Sequence, residues 1–221
     1  MPSQTQYAVI GLGRFGSSVA KQLMKHGYQV LGIDESEEIV DDLSEALTHT
    51  VAADATDEDV LRALGIRNFD VVVVAIGSDI QASILIAILC KDLGVKKVVA
   101  KAVTELHGRV LEKVGVDRII YPERDMGIRV ANQLATPNLL DYIELSDKYT
   151  IAELSVPSKL DGVTLKDLDP RARYGCSIVA INKTDGVIIA PTAADTLQER
   201  DVMVVIGTNE QIERFEHAVE D

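Results

Sequence analysis

One hexapeptide limits the fold of this 221-residue chain more than any other feature. Gly11-Leu12-Gly13-Arg14-Phe15-Gly16 follows a short apolar run at 7–10 and opens a helical stretch reaching about His26. Three glycines at this spacing say little in isolation. Between a strand and a helix they specify a turn: Gly11 allows the bend, Gly13 lets a phosphate approach the backbone, and Gly16 lets the helix pack close to the strand. Unpaired N–H groups at the helix start then face the anion. The competing reading is a glycine turn that binds nothing.

The segments that follow alternate. Apolar strands are expected at 29–33, 50–53, 71–76, 97–101 and 118–121, with helices at 35–47, 57–64, 79–93 and 104–114. Strand–helix alternation implies a parallel sheet covered on both faces, a Rossmann-type doubly wound α/β domain over 1–125. The 71–76 run is almost pure valine, as expected of a strand buried on both sides. Right-handed crossovers place every strand's carboxyl end along one edge. Residues 126–147 are expected to be connecting or crossover helices, interrupted at Pro137, with 138–147 a connector that packs on a neighbouring subunit. Residues 148–221 read as a small α+β domain: a strand at 150–156, a short helix opened by Val163, a hairpin turning at Thr184-Asp185-Gly186, a strand at 202–206 and a closing helix at 209–219. So small a unit is marginal alone and is expected to pack or dimerise.

Composition removes several classes of function. The formal net charge of -13 repels phosphate backbones, so nucleic acid is not an expected partner. Cys90 and Cys176 sit in apolar stretches without metal-ligand spacing, which suits a reducing compartment. No targeting segment is visible, and the longest apolar run, 71–76, is far too short to cross a membrane. A role at a membrane would need another protein to hold the chain there.

Polar residues collect at the carboxyl edge. Asp34 ends the second strand, where a carboxylate accepts ribose hydroxyls and repels a 2′-phosphate; it also suits a helix N-cap. Arg14 lies inside the glycine loop, a useful position if more phosphate charge than a dinucleotide's must be neutralised. Asp54, after the third strand, suits an adenine amino group or a helix cap equally. Ser78 and Asp79 follow the fourth strand. Lys101, ending the fifth, reaches a phosphate or points to solvent. Glu123, after the sixth, is a carboxylate placed to help hold a hard cation beside phosphates. No catalytic arrangement is visible: the four histidines are scattered, and there is neither a lysine phosphate loop nor a nucleophile elbow.

The segments 7–16, Asp54-Ala55-Thr56-Asp57, Leu64-Gly65-Ile66, Ala75-Ile76-Gly77, 118–127 and 171–176 together resemble the cytoplasmic regulatory subunits of Ktr/Trk potassium transporters, which carry the RCK (TrkA-N plus TrkA-C) architecture. Ala53, where glycine is frequent in the family, is a small departure. The resemblance implies a non-enzymatic subunit that gates a membrane potassium transporter as an octameric ring of dimers. It would lie in the cytoplasm, at the inner face of the membrane. ATP or ADP is then the expected ligand of the first domain, at Gly11, Gly13, Arg14, Phe15, Gly16, Asp34, Asp54, Ala55, Ile76, Gly77, Lys101 and Glu123. Arg14 would reach the terminal phosphate across the dimer, and Glu123 would help bind a Mg, Ca or Na cation. In some members the second domain binds cyclic di-AMP, for which Arg171 matches a phosphate contact, with Leu160, Val163 and Pro191 bordering the base. Two alternatives stay open: an NAD(H)-binding redox-sensing subunit of the same kind, and a small NAD-dependent oxidoreductase.

Overall fold

The computed structural model describes residues 5–135, 138–146 and 148–219. The chain divides into two compact units, one running to Arg124 and the other from Asp125.

The first unit alternates β1 (Gln6–Ile10), α1 (Arg14–Lys25), β2 (Gln29–Asp34), α2 (Glu37–Leu43), β3 (His49–Ala52), α3 (Glu58–Ala63), β4 (Val71–Val74), α4 (Ile80–Asp92), β5 (Val98–Lys101), α5 (Glu105–Val114) and β6 (Arg118–Ile120). The six strands form one parallel sheet in the order β3-β2-β1-β4-β5-β6. Side chains alternate across the central strands and feed a core on each face. Val9, Val30 and Val73 join Ala20, Val40 and Leu43 on one side. Ile10, Ile33 and Val74 join Leu61, Ile86 and Leu111 on the other. Burial on both faces explains why these strands read as plain apolar runs rather than alternating ones. Helix starts follow local chemistry: Ser36, Asp57, Asp79 and Thr104 each accept a backbone N–H at the head of α2, α3, α4 and α5.

Helix α6 (Pro122–Ala135) begins at the end of the first unit. The second unit continues with β7 (Leu139–Glu144), β8 (Tyr149–Ser155), α7 (Leu165–Leu168), α8 (Pro170–Tyr174), β9 (Ser177–Lys183), β10 (Gly186–Ile189), β11 (Val202–Thr208) and α9 (Asn209–Val219). Its five strands form a sheet in the order β10-β9-β11-β8-β7, with every pairing antiparallel. Ala152, Leu154, Ile181, Met203 and Val205 line one face, against Ile212, Phe215 and Val219 of α9.

Two expectations need correction here. The stretch read as part of the connecting helices contains strand β7, paired with β8 from Leu139↔Leu154 to Glu144↔Thr150. A register shift between Leu139 and Asp141 breaks its alternation, which hid the strand from periodicity. Val163 does not open a helix; Thr164 caps α7, and Val163 pairs its carbonyl with the N–H of Leu197. Helix α8 is an element the sequence reading lacked. Pro137 lies outside the described residues.

Candidate functional site

The sheet order reverses between β1 and β4, whose helices α1 and α4 pack on opposite faces. A crevice opens at the carboxyl ends of such a strand pair. The loops that border it are tied to the sheet: the N–H of Gly11 donates to the Ile33 carbonyl at 2.8 Å and that of Ala75 to the Ile10 carbonyl at 2.7 Å.

The three loop glycines have different surroundings. Gly11 adopts φ +89, and a Cβ there would lie 3.0 Å from Ile76 Cγ1. A Cβ on Gly16 would stand 1.8 Å from the Gly11 carbonyl oxygen, so the helix leans directly on the loop. Gly13 faces open space: beyond its two chain neighbours, no atom lies within 4 Å of a Cβ placed there. The chain itself fills the room that two glycines create and leaves the third open. Gly13 is also the N-cap of α1, and no side chain caps that helix, nor is there an acidic residue in its first turn. The first-turn N–H groups have no intrahelical acceptor and carry the positive end of the helix dipole.

Asp34 stands beside this loop. Its Oδ2 accepts the N–H of Leu12 at 2.7 Å and its Oδ1 that of Ser36 at 3.0 Å. One carboxylate therefore fastens the glycine loop and the turn into α2, with lone pairs left over for hydroxyl donors. Asp54 is exposed; its Oδ1 accepts both the N–H and the hydroxyl of Thr56, at 2.8 and 2.6 Å, which lowers its pKa. Ala55 is buried beneath that turn. Asp79 caps α4 through the N–H of Ala82 at 2.9 Å.

Lys101 and Glu123, 22 residues apart in sequence, meet because β5 and β6 are neighbours. Lys101 Nζ donates to Glu123 Oε1 at 2.6 Å. The lysine side chain is 11% exposed and the glutamate 68%. The ammonium lies 5.9 Å from the centroid of the Phe15 ring, and a Cβ on Gly77 would sit 3.0 Å from it. The Lys101 hydrogen bond holds the Glu123 carboxyl below the usual range, and the Arg14 charge adds in the same direction. Arg14 is exposed as the first residue of α1. Thus Phe15, Gly77, Lys101 and Glu123 are gathered at one point, and Arg14 acts on it electrostatically.

A cation fits this place only with help. Among the described residues no three His, Cys, Asp or Glu side chains converge. Glu123 offers one carboxylate and shares it with Lys101. A hard cation takes about six oxygen ligands, so most would come from phosphate oxygens, water or another chain.

Sequence reasoning missed the residues that fasten α6 to α5. The Tyr121 hydroxyl lies 1.7 Å from where a Gly108 Cβ would be, so that glycine is a notch for the tyrosine. The Arg124 guanidinium stacks 3.9 Å from the Tyr121 ring centroid and pairs with Glu105 at 2.5 Å. A glycine in the middle of a helix was the available signal.

In the second unit Arg171 is exposed on α8, Val163 and Pro191 are half-buried in loops, and Leu160 is buried. Ala190, just before Pro191, adopts a left-handed φ of 53.

The TrkA-N domain family matches residues 7–122, and the TrkA-C domain family matches residues 150–219. Ktr system potassium uptake protein A of Bacillus subtilis (strain 168) is 47% identical over 212 residues, covering 96% of both chains. Ktr system potassium uptake protein C of the same organism is 46% identical over 214 residues, covering 97% of both. Among solved structures, the GsuK channel superposes with a TM-score of 0.73 at 19% identity, covering all of this chain and 40% of the channel chain. The same channel bound to NAD superposes with a TM-score of 0.68 at 18% identity, again covering 100% of this chain and 40% of that one. Among the described residues, no helix is long and apolar enough to cross a membrane.

Proposed function

This chain belongs to the TrkA-N/TrkA-C family of potassium-uptake proteins, and from that premise we propose that it is a non-enzymatic regulatory subunit that gates a membrane potassium transporter by binding ATP or ADP. The observation that carries the reading is the open space at Gly13, at the uncapped start of α1, between two glycines whose space the chain fills. Backbone N–H groups there are placed for phosphate. Asp34 takes the ribose. Lys101 supplies positive charge where phosphates beyond the first would lie, and Arg14, reaching across the dimer, supplies it at the terminal phosphate. A ligand shifts a two-state assembly only if it binds one state better, and ATP differs from ADP only in its terminal phosphate. A group touching that phosphate must carry the difference, and Arg14 is the candidate.

The same reading places the protein at the cytoplasmic face of the membrane, in an octameric ring of dimers docked on the transporter. Apolar side chains left exposed support self-association: Met126, Ile128, Val130 and Leu134 along α6, and Leu85 and Leu106 on α4 and α5. In the same reading residues 1–125 are the nucleotide module, and 148–221 are a second module that takes cyclic di-AMP beside Arg171, Val163 and Pro191.

A second reading is NAD(H) in place of ATP. Asp34 serves the ribose of either ligand equally well, and a channel of the same fold binds NAD. Thermal shifts with ATP, ADP, NAD and NADH separate the two, because the preferred ligand stabilises most at equal concentration. The larger shift is expected with the adenosine phosphates. A larger shift with NAD or NADH would select the second reading.

A further inference from the structure

We propose that Glu123 is a built-in competitor of the ligand: its carboxylate holds the Lys101 ammonium, and an incoming phosphate takes that ammonium and releases the first turn of α6. The inference rests on the nucleotide reading above and adds an internal contest to it.

The two partners are unequally held. Lys101 is 11% exposed, confined by the Phe15 ring and the Gly77 backbone. An ammonium so far from water keeps an anion beside it, because leaving it unpaired is costly. Glu123 is 68% exposed on the first turn of α6, with water available if it lets go. Between a fixed cation and a solvated anion, the anion is the one exchanged. A phosphate in the glycine loop, at the same sheet edge, carries more charge and more acceptor oxygens than the carboxylate it displaces.

The neighbours of Glu123 confine the consequence. Tyr121 is seated in the Gly108 notch, and Arg124 is pinned by Glu105. Both hold on α5 when Glu123 leaves Lys101, so the loosening is restricted to the head of α6. That helix runs from the nucleotide domain to Ala135, beyond the end of the first compact unit. Ligand occupancy is thereby written into the helix leading out of the domain.

The test is a double-mutant cycle with ATP and ADP, measured by calorimetry in chelator so that no metal bridges the groups. Glu123→Gln should bind both nucleotides about three- to tenfold tighter than wild type, the range for an exposed charge-assisted contact removed from competition. Lys101→Met should bind more weakly. In the doubly substituted chain the gain from Glu123→Gln should vanish, since the contest needs the lysine. Glu123→Ala is expected to act as Glu123→Gln does. Hydrogen exchange gives an independent readout: ATP should speed amide exchange at 125–128, the first amides bonded within α6, in wild type and leave it unchanged in Glu123→Gln. A Glu123→Gln affinity equal to or below wild type overturns the proposal. So does a gain that survives in the double variant, which would mean simple repulsion between carboxylate and phosphate. Failure of wild type and both variants to bind any nucleotide would instead overturn the underlying nucleotide reading, and this inference with it.

Discussion

The backbone N–H of Leu12 donates to Asp34 Oδ2 at 2.7 Å, so the carboxylate proposed to receive ribose also holds the glycine loop in shape. Under the proposed reading, a carboxylate at the end of β2 would touch the ribose and brace the loop that meets the phosphates. Asp34→Ala should weaken every ribose-bearing ligand together, by about tenfold or more, as for loss of a hydrogen-bonded charged group. Inorganic triphosphate, which has no ribose, should lose less. Calorimetry with ATP, ADP and triphosphate checks this, and equal losses for all three would show that Asp34 acts on the loop alone.

Arg14 is the exposed first residue of α1, proposed to reach the terminal phosphate across the dimer. Arg14→Ala should leave ADP affinity nearly unchanged and weaken ATP by about tenfold, the lower range for a charge-assisted contact in an exposed position. Parallel titrations of the two nucleotides decide it, and equal losses would remove Arg14 as the reader of the terminal phosphate.

The loop glycines should separate stability from binding. Gly16→Ala places a Cβ 1.8 Å from the Gly11 carbonyl oxygen, a backbone atom that cannot yield without moving the loop. It should cost about 2 kcal/mol or more in urea unfolding, as overpacking does. Gly13 has φ -59 and empty space around it, so Gly13→Ala should fold with wild-type stability. Its methyl group would intrude where the proposed phosphates lie, and nucleotide affinity should fall at least about tenfold, the size of one 1.4 kcal/mol step.

His107 supplies a pH dependence. The residue is 2% exposed, its Nδ1 accepts the N–H of Val103 at 3.4 Å, and its Nε2 has no hydrogen-bond partner. Burial holds its pKa below the ordinary histidine value. The unfolded chain therefore binds the proton first, and stability is lost as pH falls below about 6.5 toward the folded pKa. His107→Asn keeps an acceptor for Val103 and cannot be charged. Its melting temperature should fall less than that of wild type between pH 7.5 and 5.5, and parallel curves would show that His107 is not the group responsible.

Much of the first domain was legible because its physics is local. Strands buried on both faces appear as apolar runs, helix caps such as Ser36 and Asp79 stand at the head of their helices, and the glycine loop carries its own geometry. What was not legible depends on strand order or irregular register. Lys101 and Glu123 were each read as ligand contacts, and nothing in sequence said that they hold each other, because that requires β5 beside β6. The Gly108 notch is visible only once Tyr121 is seen to fill it. Strand β7 was lost to its register shift.

The central claim is that the open loop at Gly13 holds the phosphates of an adenine nucleotide. Calorimetric titration of the purified chain with ATP measures it most directly. Saturable binding, about one nucleotide per chain and weakened by Gly13→Ala in a protein of unchanged stability, is the predicted result. No heat of binding from ATP, ADP or AMP, or an affinity indifferent to Gly13→Ala, would contradict it.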